Sequence, residues 1–128
     1  MKSPWKRYET PDPGSTCLVL ASSIPARRVG AAGKMFRGSR QVRKQLASAE
    51  GLVGFSLLAR PFKKQYATLS VWRDQAALDA FVAANPHHEL MQSLRPEMGE
   101  TRFITWEASA ADARPSWKDA LERLAAPA

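Results

Sequence analysis

Short apolar runs alternate along the chain with stretches of helical periodicity, and this alternation predicts the order of strands and helices. Residues Thr16–Ser23 form an apolar run that predicts a first strand, and Pro25 ends it. Residues 31–49 carry apolar side chains at helical spacing on a basic surface, and therefore predict an amphipathic helix. The apolar side chains of this helix are Met35, Val42 and Leu46, with Phe36 beside Met35.

Two further strands follow, with only a short turn between them. Gly51 stops the first helix, residues 51–60 predict the second strand, and residues 64–73 predict the third. Strands this close in sequence are expected to form an antiparallel hairpin. Asp74 is the predicted N-cap of a second helix, Gln75–Ala84. The predicted buried face of that helix consists of Ala77, Leu78, Phe81 and Val82.

The rest of the pattern completes an α+β fold. Asn85-Pro86 breaks the second helix, and a shorter helix is predicted from His87 to Leu94 or Met98. Residues Glu100–Ala108 predict a fourth strand, and Ser116 caps a last helix. The order β-α-β-β-α-β plus a C-terminal helix is that of a ferredoxin-like split βαβ fold with a four-stranded antiparallel sheet.

The length of 128 residues predicts one domain, because most single domains fall in this size range. Residues 1–14 contain three prolines and predict an irregular N-terminal arm, so the domain is assigned to residues 15–128. No apolar run is long enough for a membrane span and no secretory signal is recognised, so a cytoplasmic location is expected. Cys17 is the sole cysteine, so no intrachain disulfide is expected.

Both faces of the predicted sheet carry large apolar side chains, whereas a sheet covered on one side only has polar residues at alternate positions. The first strand sets Leu18 and Leu20 against Cys17, Val19 and Ala21. The second strand sets Leu52 and Leu58 against Val53, Phe55 and Leu57. A bare apolar face marks an interface, so a homodimer in the form of a dimeric α/β barrel is predicted. The alternative is that the N-terminal arm or the last helix covers this face.

The net charge of +7 is concentrated in a basic cluster between Arg27 and Lys44. Such a cluster either attracts an anionic partner or forms a solvated helix face, and the solvated face is the favoured interpretation. Aromatic residues do not interleave with these cations, so nucleic acid ranks last among the partners. The cluster consists of Arg27, Arg28, Lys34, Arg37, Arg40, Arg43 and Lys44.

Several segments resemble a known family. The stretch from Thr68 to Val82, then Asn85-Pro86-His87-His88, then Gly99 to Glu107, is similar to the antibiotic-biosynthesis-monooxygenase-like members of the dimeric α/β-barrel superfamily. Gly51-Leu52 also resembles that group and, more loosely, the spheroidene monooxygenases. The resemblance covers about residues 16–109 and implies this fold. Members of the group include cofactor-independent oxygenases and haem-degrading enzymes.

The resemblance implies a ligand cavity inside each protomer, between the sheet and its helices, for a small apolar or aromatic molecule. His87 and His88 are the candidate catalytic residues, because a histidine can act as a general base near neutral pH. In cofactor-independent oxygenation, the deprotonated substrate itself reduces dioxygen. The candidate substrate-binding residues are Trp72, Phe81, Met91, Trp106, Ser56, Tyr66, Phe36 and Arg37.

Other interpretations stay open. One is a haem protein, with His87 or His88 on the iron and Arg37 or Arg102 near the propionates. Another is a non-catalytic binding protein, in which the basic helix recognises nucleic acid. For the individual residues, the alternatives are that the histidines lie on a solvated helical turn and that the tryptophans belong to the core or an interface. No cluster with metal-ligand spacing, phosphate-binding loop or serine-triad signature is recognised, so no metal is predicted.

Overall fold

The computed structural model describes residues 2–84, 87–110 and 114–126, so the predicted break at Asn85-Pro86 lies outside the described residues. The strands are β1 Lys6–Arg7, β2 Thr16–Ser23, β3 Leu52–Arg60, β4 Gln65–Trp72 and β5 Arg102–Ser109. The helices are α1 Ala32–Leu46, α2 Gln75–Ala83, α3 His87–Leu94 and α4 Trp117–Ala125. Short 3-10 helices cover Val29–Ala31, Pro61–Lys63 and Arg95–Glu97.

The strands form one antiparallel sheet in the order β1-β3-β4-β2-β5. The prediction of four strands was wrong, because the N-terminal arm contributes the two-residue strand β1 beside β3. Ser3 extends this contact by donating a backbone hydrogen bond of 2.8 Å to the Leu57 carbonyl. The arm therefore pairs with backbone groups that would otherwise form a free sheet edge.

The predicted N-caps of two helices are confirmed. The Asp74 side chain accepts a hydrogen bond of 2.8 Å from the Ala77 N–H, and the Ser116 hydroxyl accepts one of 3.1 Å from the Asp119 N–H. Each cap satisfies a donor that the helix leaves unpaired. Gly51, the predicted stop after α1, has a φ of +84°, and a Cβ there would come within 2.6 Å of Ala77 Cβ. Both the conformation and the space therefore require glycine.

A β-bulge at the start of β3 decides which side chains share a face. Leu52 joins Phe55 and Leu57 on the face that α1 and α2 cover, and Val53 points to the opposite face. The prediction that grouped Leu52 with Leu58 was wrong, because strict alternation fails where one strand carries an extra residue.

The last helix of the chain covers the second sheet face. Ala120 and Leu124 of α4 pack in one buried cluster with residues of β2, β3 and β4. Trp117 Nε1 donates a hydrogen bond of 3.0 Å to Ser56 Oγ on this face. The expectation that a second chain must cover this face was wrong, because the C-terminal helix α4 of the same chain covers it. The homodimer itself stays a prediction.

Helices α1, α2 and α3 lie over the other face but leave its β5 side open. Phe81 of α2 is buried as predicted, whereas Val82, expected on the same buried face, is 44% exposed because it lies around the helix from Phe81. Phe103 of β5 points to this face and is 59% exposed. Among the described residues, no helix is both long and apolar enough to cross a bilayer.

Candidate functional site

A cavity of about 1060 Å³ lies between the sheet and helices α2 and α3. We call it the larger cavity. Trp72, Leu78 and Phe81 form an apolar wall, and β2, β4 and β5 provide the floor. Its volume is at the upper end of ligand pockets, which span roughly 300–1,000 Å³. The space therefore suits a mainly apolar molecule of several rings or a comparable chain length.

Hydroxyl groups interrupt this apolar floor. The Ser22 and Thr68 hydroxyls are hydrogen-bonded to each other between β2 and β4. The Ser70 hydroxyl accepts a hydrogen bond of 2.9 Å from Trp72 Nε1. A hydroxyl both donates and accepts, so these groups retain capacity for a polar substituent on the ligand.

His87 is the first residue of α3 and lies against the aromatic wall. Its ring centre is 5.1 Å from that of Phe81, which in turn is 5.2 Å from that of Trp72. The Nδ1 atom of His87 is 3.4 Å from the Val82 carbonyl oxygen. Because a carbonyl only accepts, this contact favours the tautomer with the proton on Nδ1. The other ring nitrogen then carries a free lone pair, as a base requires.

Burial lowers the pKa of His87 below its ordinary value of 6.5. The hydrogen bond to Val82 opposes this shift, and the charge of His88 adds to it. The imidazole is therefore neutral at neutral pH, because its environment disfavours the charged form. A neutral imidazole is the form that can take a proton from a bound molecule.

Gln45 of α1 positions the backbone around His87. Its Oε1 accepts a hydrogen bond of 2.8 Å from the His87 N–H, and its Nε2 donates one of 3.1 Å to the Phe81 carbonyl. One carboxamide thus binds both the end of α2 and the start of α3, where helices leave backbone groups unpaired. Gln45 is a functional residue that is absent from the candidates predicted from the sequence. The available signal was a long polar residue directly before Leu46, at the edge of the apolar stripe of α1.

Five of the predicted site residues line the larger cavity: His87, His88, Trp72, Phe81 and Met91. His87 is half-buried, whereas His88 is exposed, with Nε2 3.4 Å from the Gln92 amide nitrogen. This difference follows from the rotation of about 100° between adjacent helical positions. Of the two histidines, His87 is the one in contact with the aromatic wall.

Phe36 and Tyr66 lie in a different place, around a smaller cavity of about 400 Å³ between α1, α3 and the sheet. Their rings meet edge to face with centres 6.2 Å apart. Met91 lines both cavities. These residues therefore border a second space that adjoins the first.

The remaining predicted residues line neither cavity. Trp106 and Ser56 lie on the face that α4 covers, where the Arg123 guanidinium is 4.2 Å from the centre of the Trp106 ring. Trp72 and Trp106 are thus on opposite faces and cannot hold one ligand between them. Arg37 is exposed on α1. Arg102 donates a hydrogen bond of 2.6 Å to a carbonyl of α4, so neither arginine expected beside haem propionates lines the larger cavity.

Metal chemistry has no obvious donor set in the part of the chain that the structure describes. No three His, Cys, Asp or Glu side chains among those residues lie close enough together to hold an ion. The larger cavity offers a mainly apolar space, a few hydroxyls and the half-buried neutral imidazole of His87. Its lining also contains four charged residues, Arg27, Asp79, Arg95 and Glu100.

This fold is shared with antibiotic-biosynthesis-monooxygenase-like proteins of known structure. SnoaB of Streptomyces nogalater, a cofactor-independent oxygenase, is 16% identical, with a TM-score of 0.61 over 80% of this chain and 98% of its own. A protein of Pseudomonas aeruginosa is 19% identical, with a TM-score of 0.66 over 73% and 95%. An antibiotic-biosynthesis-monooxygenase-like protein of Nitrosomonas europaea is 10% identical, with a TM-score of 0.65 over 72% and 89%. Such likeness shows the fold.

The chain belongs to the DUF3291 family, a domain of unknown function whose model matches residues 36–126. No curated protein matches the chain. The resemblance to antibiotic-biosynthesis-monooxygenase-like proteins, drawn from the strand and helix around Trp72 and Phe81, is therefore confirmed at the level of family fold.

Proposed function

We propose that this protein is a cofactor-independent oxygenase that acts on an apolar, aromatic molecule bound in the larger cavity. The observation that carries the proposal is the position of His87, a neutral and half-buried imidazole whose ring packs at a tilt against that of Phe81 in a mainly apolar cavity. A base in such a place can deprotonate a weakly acidic substrate and keep water from competing. SnoaB, which shares the fold, is a cofactor-independent oxygenase, and this supports the choice of reaction.

The reaction converts a methylene group to a ketone: one methylene and one dioxygen molecule give one carbonyl group and one water molecule. His87 takes one proton from the methylene carbon, and the carbanion transfers an electron to dioxygen. The radical and superoxide combine into a peroxide, which recovers the proton from the imidazole. Loss of the second C–H proton together with hydroxide then forms the carbonyl and water. Dioxygen is the only oxidant, and both of its atoms appear in the products.

The substrate must stabilise a carbanion by itself, since the proposal includes no cofactor. A methylene between aromatic rings meets this need, because the rings delocalise the charge. The aromatic wall of Trp72 and Phe81 suits the flat faces of such a molecule. The hydroxyls of Ser22, Thr68 and Ser70 would bind an oxygen substituent on it.

The proposal also includes a homodimer. In the described sheet, β5 pairs with β2 and is an edge strand, and Phe103 is 59% exposed beside the larger cavity. Edge strands and exposed aromatic side chains both favour association. Sedimentation velocity should show a dimer that weakens in Phe103→Ser. A wild-type protein that stays monomeric at high concentration would remove this part of the proposal.

Dioxygen uptake with tricyclic aromatic ketones that carry a doubly benzylic methylene tests the function. We expect His87→Gln to lower kcat by about 100-fold or more, as loss of a general base does. His88→Gln is the matched control and should stay within a few-fold of wild type. A folded His87→Gln variant with the wild-type rate would overturn the mechanism.

A further inference from the structure

The larger cavity and the smaller cavity adjoin each other on the same sheet face. Six residues line both of them, and all but one of the six are apolar. The two spaces are therefore neighbours, with side chains between them. The shared residues are Ile24, Val42, Leu57, Thr68, Met91 and Met98.

The pairing of the strands gives the direction in which the two cavities are joined. Phe103 of β5 is opposite Ser22 of β2, Ser22 is opposite Thr68 of β4, and Thr68 is opposite Leu57 of β3. This row crosses three strand spacings, or about 14 Å. Phe103 and Ser22 line the larger cavity alone, whereas Thr68 and Leu57 line both. The floor thus continues from the open β5 side towards β3, where Ser3 borders the smaller cavity.

The walls of the smaller cavity suit a flexible hydrocarbon chain. Three methionines line it, Met35, Met91 and Met98, and methionine adapts its shape because it is unbranched and has several rotatable bonds. Lys2 and Arg43 also border this cavity, but both are exposed, so their charged ends can stay in water. Its described lining residues include the aromatic pair Phe36 and Tyr66 but no histidine.

We propose that the two cavities form one site for an elongated amphiphile: an aromatic head group beside His87 and a linear aliphatic tail, alkyl or isoprenoid, in the smaller cavity. This inference rests on the proposed function, because His87 marks the end at which the reactive group binds. Met91 lies at the junction and is the residue that the tail passes. The substrate class is therefore an aromatic compound with a long aliphatic side chain.

The affinity of the wild-type protein for 4-alkylphenols tests the inference directly. Isothermal titration with 4-ethyl-, 4-butyl-, 4-hexyl- and 4-octylphenol should show binding that tightens by up to about fourfold per methylene, the value for complete burial. The gain should end once the smaller cavity is full. Equal affinity for the ethyl and octyl compounds would overturn the inference.

A variant that fills the smaller cavity provides the second measurement. Ser39 of α1 lines this cavity and not the larger one, so Ser39→Trp should remove the gain with tail length but leave 4-ethylphenol binding unchanged. Gln41→Trp, exposed on the same helix, is the matched control and should retain the gain. If a folded Ser39→Trp protein shows the same increase in affinity with tail length as the control, the inference is contradicted.

The outcomes also separate this inference from the proposed function. If phenols bind with no dependence on tail length, the second cavity is not part of the site, and the role of His87 in the larger cavity is unaffected. If no phenol binds at all, both the inference and the proposed aromatic site fail. If Ser39→Trp does not fold, the wild-type series alone decides the question.

Discussion

The backbone N–H of His87 donates a hydrogen bond of 2.8 Å to the side-chain oxygen of Gln45. This contact ties the first residue of α3 to α1, and the same carboxamide binds the Phe81 carbonyl near the end of α2. The aromatic wall and the candidate base are therefore fixed by one side chain on a third helix. A neutral amide performs this task without placing a charge beside the imidazole.

Replacement of Gln45 by alanine should destabilise the protein. The change leaves the partly buried His87 N–H without its partner, and the loss of such a bond costs about 1–3 kcal/mol. The Phe81 carbonyl loses one of its hydrogen bonds but still accepts one of 3.2 Å from the Ala84 N–H. Urea denaturation of Gln45→Ala measures the effect. Gln41→Ala is the control, because it removes the same side chain from an exposed position of α1. Equal stabilities of the two variants would show that the Gln45 contacts contribute nothing.

The sequence predicted most elements of the fold because the signals were local. The Asp74 and Ser116 caps depend only on neighbouring residues, and both form as expected. Strand β1 has two residues and thus no alternation to detect. The bulge at Leu52 depends on a pairing between strands, which no single segment contains.

The candidate site was predictable only in part, for the same reason. Trp72 and Phe81 are near in sequence, so a strand followed by a helix brings them together. Trp106 was grouped with Trp72, but the strand pairing separates them. Leu18 pairs with both Trp72 and Glu107, so Trp72 and Glu107 share a sheet face, and Trp106, adjacent to Glu107, points to the opposite face. Gln45 escaped notice because its partners are backbone atoms, which have no sequence signature.

The lowered pKa of His87 predicts a component of stability that depends on pH. In the unfolded chain the imidazole takes up a proton near pH 6.5, whereas in the folded protein burial delays protonation to a lower pH. The unfolded state therefore binds more protons in this window, so stability falls as the pH drops from about 6.5 towards the lowered pKa. Melting temperatures from pH 8 to 5 should show this slope in the wild type and in His88→Gln, but not in His87→Gln. A slope that persists without His87 would assign it to another group.

The lowered pKa of Glu97 predicts a second pH-dependent component of stability, at lower pH than that of His87. Its carboxylate bridges Arg28 at 3.1 Å and Lys34 at 3.2 Å, and the hydrogen bonds to these cations lower its pKa below the ordinary value of 4.5. A carboxylate with a lowered pKa stabilises the fold above pH 4.5 and loses that effect as the pH falls through the lowered value. The Glu97→Gln variant should therefore not show this loss of stability at acid pH.

Acid titrations of the melting temperature in low and high salt measure the Glu97 effect. The slope should weaken in high salt, because the three groups are near the surface and are screened. Glu100→Gln is the control, since Glu100 is exposed and has no ion pair within the described part of the chain. Identical acid titrations for the two variants would contradict the role assigned to Glu97.

Leu124 tests whether α4 covers the sheet of its own chain. The side chain is only 8% exposed and packs against the face opposite the larger cavity, so Leu124→Ala should cost about 2–4 kcal/mol. Glu122→Ala, exposed on the same helix, should have little effect. If α4 packs within its own chain, the loss of stability is the same at all protein concentrations. If α4 instead packs on a partner, the loss of stability caused by Leu124→Ala changes with protein concentration, because this contact then forms only on association. That result would mean that the sheet face opposite the larger cavity is uncovered in the isolated chain and forms the dimer interface that its apolar side chains predict.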